Sequence, residues 1–310
     1  MKNISTFFLR ILIIAFFVIG TTKTSAQFAY FAAYGSAIQD TLKVVNTSTN
    51  TLVAKIPIGA NSDAVVVSPD GSKVYVSYWN SLSPYTGGNV ITVINTATNT
   101  IAANITFGTG IGSDGMDISP DGSKLYVPRM GNTADTIFVL NTSNYAIIAK
   151  IPLSGAYGVE GAVVSPDGTK LYVVDGNAGG IIVINTATNT IENIIPTAGS
   201  YGIAVTPDGT KLFATGINSD SVYVINTTNG STIAKIDMGA NSQPVGITVT
   251  PDGSKVYVAG LYSSLISVIN TSTNTVLITL SCVTPYGIAV TPDGSKVYVA
   301  SDPVSVINTA

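Results

Sequence analysis

Counting back six residues from the proline of each Pro-Asp-Gly triplet lands on Asp63, Asp114, Glu160, Tyr201, Val245 and Tyr286. Three carboxylates and two phenols at one repeated position suit Ca²⁺ ligation, hydrogen bonding to glycan hydroxyls, or general acid–base work. Asp117 adds a fourth carboxylate where the other copies carry Val66, Val163, Ala204, Thr248 and Ala289. A plainer reading stands beside this one. Carboxylates at strand ends hydrate readily, and the group then forms a polar rim around a water-filled channel. A second candidate is the segment "SYWNSLSPYTGGN", which holds the single Trp, Trp79, with Tyr78 and Tyr85. Its aromatic faces suit stacking on a sugar or anchoring a protein, and they suit covering a hydrophobic blade edge equally well. Arg129, in the corresponding loop of the next repeat, is expected nearby.

The remaining inventory restricts the chemistry. The chain has no His, which removes Ser–His and Cys–His nucleophiles and His-ligated zinc or haem. Cys282 is the single cysteine and follows "TVLITL", so it reads as a buried apolar residue with no intrachain disulfide. Asp40-Thr41-Leu42, Asp135-Thr136-Ile137 and Asp220-Ser221-Val222 fit either bacterial O-glycosylation acceptors or short hairpin turns. The charged start with Lys2 and Arg10, the apolar run Ile11–Ile19 and Thr24-Ser25-Ala26 read as a signal peptide over 1–26. The run is too short to span a bilayer, and a retained anchor is the alternative. Of 14 basic residues, three lie in that leader, so 11 face 17 acidic ones and the expected net charge is −6. No basic cluster exists to neutralise phosphates, which argues against a nucleic-acid partner.

These candidates must be positioned by the repeat. "VTPDGSKVYVA" occurs twice, and its aspartates across six copies are Asp70, Asp121, Asp167, Asp208, Asp252 and Asp293, spaced by 51, 46, 41, 44 and 41 residues. A second phrase, "VINT" or a relative, ends the third strand of each unit. A period in the forties with period-two apolar alternation and dense turn signals predicts propeller blades of four antiparallel strands. Pro presets the first turn position, Asp bonds locally, and Gly accepts positive φ. The expected blades are 28–58, 63–107, 114–153, 160–195, 201–238, 245–280 and 286–310 within one domain, 27–310. The first lacks an inner strand and the last an outer one, so 26 strands stand where seven full blades need 28. We expect a continuation beyond Ala310 to supply both and close the ring.

The units "GIAVTPDGSKVYVA…ISVINTSTNTVLITL" resemble the YVTN family of WD-like β-propeller repeats, found in bacterial exported proteins and archaeal surface-layer proteins. The resemblance implies a seven-bladed propeller, often one module of a longer cell-surface chain, and transfers no catalytic residue. The family's "VIDT" is "VINT" here. The function expected is that of an exported, non-catalytic recognition, adhesion or surface-layer module meeting a protein or glycan. It would be a monomeric ring without a cofactor, unless the rim binds Ca²⁺. The alternative is a lactonase-like hydrolase using Asp63, Asp114, Asp117 or Glu160 on a metal or as a base. Near-identical first and third turns should share one face of the disc; everything that varies should lie on the other.

Overall fold

The computed structural model describes residues 12–18, 27–33, 40–78, 90–107, 115–130, 135–153, 158–176, 179–301 and 303–309. Among them are 27 strands and no helix, in seven antiparallel sheets arranged as the blades of a propeller. Blade 4 shows the plan: Val159–Val164 inner, Lys170–Asp175 second, Gly180–Asn185 third and Thr190–Pro196 outer. Second and third strands are buried almost continuously, as in Val74–Tyr78 and Ile91–Ile94, because neighbouring blades cover both faces. Outer strands are buried only at one end, for example at Ile56 and Ile58 of Thr51–Ile58. The core is therefore a series of apolar layers between blades, such as Leu42, Val44 and Ile56 against Val74 and Val76.

The repeat supplies three strands to the first blade and three to the last, as expected. The inner position of blade 1 is nevertheless filled. Leu12–Val18, from the run assigned to a leader, pairs antiparallel along Gln27–Ala33 from Leu12↔Ala33 to Val18↔Gln27. A short apolar run satisfies its backbone groups there by completing a sheet edge. Blade 7, with three described strands, packs directly on blade 1. Phe31 meets Tyr298 edge-on at 6.0 Å, and Tyr298 Oη donates to Asn50 Oδ1 at 2.5 Å. Among the described residues no helix is long and apolar enough to cross a membrane.

The two repeated phrases hold the ring together. Asp252 Oδ1 accepts from Thr250 Oγ1 (2.5 Å) and Ser254 N (3.0 Å), which closes the turn and holds the carboxyl down at about 2. Gly253 has φ 72°, and its α-carbon faces Pro207 of the preceding blade, so successive turns stack around the disc. Each "NT" threonine returns to the turn of its own blade: Thr271 Oγ1 donates to Gly253 O at 2.6 Å, and Thr227 Oγ1 to Gly209 O at 2.6 Å. First and third turns thus share one face, as expected. Next to the axis the inner strands crowd: a Cβ on Gly161 would lie 2.9 Å from Tyr201 O, and one on Gly246 would overlap Tyr286 O. Small residues at these inner-strand starts are a steric requirement.

Candidate functional site

Tyr201 and Tyr286 begin the inner strands of blades 5 and 7. Their hydroxyls are hydrogen-bonded to each other, and their rings meet nearly perpendicular with centroids 6.0 Å apart. Between them lies blade 6, whose Val245 at the same repeat position is buried, with its carbonyl accepting from Thr215 Oγ1 at 3.0 Å. Two residues 85 positions apart in the chain are thereby joined over a shared apolar floor. At two of the six positions that precede the proline by six residues, the side chains thus meet across blade 6.

The carboxylates are less clustered. Asp63 and Glu160 are half-buried on their own blades, and Glu160 Cγ would lie 3.1 Å from a Cβ on Gly176. Asp114 falls outside the described residues. Asp117 is held between inner strands: its Oδ2 accepts from Val164 N of blade 4 at 2.7 Å and its Oδ1 from Ile118 N at 2.8 Å. Burial pushes its carboxyl up to about 6, against the opposing effect of those two N–H donors. Among the described residues no group of three or more acidic or Cys side chains is placed to hold a metal ion.

The aromatic segment is seen only at its start. Trp79 and Tyr85 lie outside the described residues. Tyr78 is buried, its hydroxyl donating to Thr92 Oγ1 at 2.6 Å and accepting from Gly59 N at 3.2 Å, so its polar end is engaged within the fold. Arg129 is also buried, its guanidinium 5.6 Å from the Phe138 ring centre, and desolvation lowers its pKa. Cys282 is buried against blade 7, as expected, with Sγ 3.6 Å from Ser305 Oγ.

Two sets of residues carry roles that sequence reasoning missed. The aspartates of the Asp-Thr/Ser-apolar triplets receive the chain entering the next blade. Asp40 Oδ2 accepts from Ser62 N (2.9 Å), Asp135 Oδ2 from Gly158 N (2.7 Å), and Asp220 Oδ1 from Gln243 N (2.9 Å). They recur in alternate blades 1, 3 and 5, a signal that was present in the sequence. The second set is the lysine of each PDG phrase. Lys73 Nζ donates to Thr142 O, Lys124 to Thr186 O, Lys211 to Thr271 O, Lys255 to Thr309 O and Lys296 to Thr47 O, all at 2.5–3.0 Å. Each joins one blade to the next, and the last closes the ring across 249 positions.

Lys170 breaks the series. Its Nζ lies 3.7 Å from Glu192 Oε2 on the outer strand of its own blade, and Glu192 Oε1 also accepts from Asn185 Nδ2 at 2.8 Å. Glu192 occupies the β-bulge between the pairs Val183↔Asn193 and Ile184↔Ile191. The equivalent bulge residues are Val53, Ala102, Ile148, Ile233 and Leu277, so Glu192 is the one acid in an otherwise apolar set. The cleft between blades 4 and 5 has a volume of about 570 Å³, whereas those between blades 3 and 4 and between 6 and 7 hold about 230 and 180 Å³. This wider cleft lies on the repeated face, opposite the rim.

No family model matches the chain, and no curated protein matches it either. Among solved structures it is similar to hydrazine synthase of Kuenenia stuttgartiensis, with a TM-score of 0.82 over 100% of this chain and 98% of that one, at 18% identity. At that identity the likeness concerns the fold: the chain is a seven-bladed, all-β propeller of antiparallel blades, six of four strands and the last of three among the described residues.

Proposed function

We propose that this chain is an exported β-propeller that recognises a protein or glycan at the cell surface, as a recognition, adhesion or surface-layer module without chemistry of its own. One observation carries the reading: the repeated Asp, Lys and Thr side chains are engaged inside the scaffold, while the unrepeated residues Tyr201 and Tyr286 meet on the rim. A rigid ring with a variable mouth is suited to binding. The resemblance to YVTN surface proteins supports export, and Ca²⁺ on Asp63, Asp114 and Glu160 belongs to the same proposal. The test is a thermal-shift screen of the chain against glycans, Ca²⁺ and surface extracts. A ligand at about 100 times its Kd adds about 2.7 kcal/mol, which the Tyr201→Phe/Tyr286→Phe double variant should diminish. No shift with any of them overturns the reading.

Asp117 favours a second reading. A carboxyl pushed up to about 6 is poised for proton transfer near neutral pH, and the structural neighbour bears the name of an enzyme. A turnover screen on sugar lactones and phosphoesters decides it: activity abolished by Asp117→Asn would favour the hydrolase over the binder.

A further inference from the structure

We propose that the cleft between blades 4 and 5 on the repeated face binds a primary ammonium group carried by a ligand, whether a lysyl side chain, a polyamine or an amino sugar. The molecule itself supplies the precedent. At five junctions a primary ammonium, the Nζ of Lys73, Lys124, Lys211, Lys255 or Lys296, sits on the backbone carbonyl of the next blade's Asn-Thr turn. At two of these an Asn Oδ1 adds a second acceptor at 3.3 Å, from Asn274 and Asn50. At the junction of blades 4 and 5 the corresponding carbonyl is that of Thr227, and the corresponding ammonium is withdrawn to Glu192. What remains is a position already shaped for an ammonium, opening into a cavity two to three times larger than its latched sisters.

The lining is complementary to that cation. Asp167 and Asp208 stand on either side, each accepting from its own Ser/Thr hydroxyls (Ser165 and Thr169; Thr206 and Thr210), and those bonds hold both carboxyls below the usual range and therefore ionised. Lys170 is the one cation present and is paired with Glu192, so the cleft retains an excess of negative charge. Tyr172 and Thr228 provide an aromatic wall and a hydroxyl for the carbon skeleton behind the ammonium. The proposal does not rest on the rim, which lies on the opposite face, and it stands or falls separately from the surface-recognition reading.

The experiment is calorimetric titration of the full chain with 1,5-diaminopentane, an acetyl-Gly-Lys-Gly amide peptide and glucosamine, each beside its N-acetylated counterpart. At least one free amine should bind with a stoichiometry of one and its acetylated form should not; the tightest identifies the source. Glu192→Ile installs the residue that blade 5 carries as Ile233, returns Lys170 to the Thr227 carbonyl, and should weaken binding tenfold or more. Equal binding to Glu192→Ile, equal binding of the acetylated probes, or no binding of any amine overturns the proposal. Should Glu192→Ile not fold, Ile233→Glu reads the same device in reverse. It should draw Lys211 from Thr271 and raise the stoichiometry to two, and a value of one refutes the mechanism.

Discussion

The junction between blades 6 and 7 and the junction between blades 4 and 5 are built from the same phrase and differ in one bond. In the first, Lys255 crosses to the Thr309 carbonyl at 3.0 Å and the cleft is small. In the second, Lys170 turns to Glu192 and the cleft opens to about 570 Å³. The turns themselves do not change: Asp167 and Asp252 receive the same kinds of hydrogen bond, and both Gly209 and Gly294 stack on the preceding proline. A repeat of this kind defines a default set of contacts, and a single acid in an outer-strand bulge is enough to redirect one of them. The scaffold tolerates the change because stacked turns and apolar layers, more than any one lysine, hold adjacent blades together.

The severest test of that claim is steric. Gly246→Ala places a methyl on the Tyr286 carbonyl where inner strands converge, and should cost about 1–3 kcal/mol in denaturant unfolding. A cost near zero would show that blades 6 and 7 have slack at the axis. A smaller effect is expected from Thr271→Val, which removes the bond to Gly253 O from a buried side chain, at about 1 kcal/mol. The comparison is sharpest with Lys255→Met against Lys170→Met. The first should destabilise by about 1 kcal/mol and the second by less than about 0.5, and equal losses would erase the distinction between the junctions.

Two pH effects, the smallest expected, have opposite signs. The turn carboxyls, with Asp121 and Asp252 held down at about 2, bind protons less readily folded than unfolded. Their contribution is present above about pH 4 and disappears as pH falls towards 2. Asp117 is raised to about 6, so its contribution is fully present below about pH 4 and declines as pH rises through 6. Asp117→Asn loses one of the two N–H acceptors at any pH, so its melting midpoint relative to the parent should be higher at pH 7 than at pH 4 by a few degrees, on the order of 2–4 °C. The same difference from the parent at both pH values would contradict burial as the cause.

Much of the scaffold was legible before any coordinate. Period, turn residues and alternation established seven blades, the small inner-strand starts and the shared face of the two repeated turns, because each is a local demand of backbone geometry written at every repeat. Counting back from the proline also placed Tyr201 and Tyr286 on one rim, since register within a blade is transmitted by hydrogen bonding. Less was legible where the answer depended on another blade. Tyr78 and Arg129 looked like surface groups in a variable loop, yet Tyr78 packs in the apolar layer shared with blade 1, and Arg129 lies over Phe138 in the layer shared with blade 2. Glu192 was visible as an acid among Val53, Ala102, Ile148, Ile233 and Leu277, but its consequence required knowing that a bulge brings it to Lys170.

The sequence by itself determined the blade, its turns and its number, because these follow from contacts within some forty residues that repeat around the chain. Only the tertiary structure decided how blades meet: which lysine crosses a junction, which carboxylate becomes a brace, that Leu12–Val18 lies beside Gln27–Ala33, and that blade 7 reaches blade 1. Those bonds join residues from nine to 249 positions apart, and the distant partners are chosen by ring closure, a global condition that no single repeat encodes.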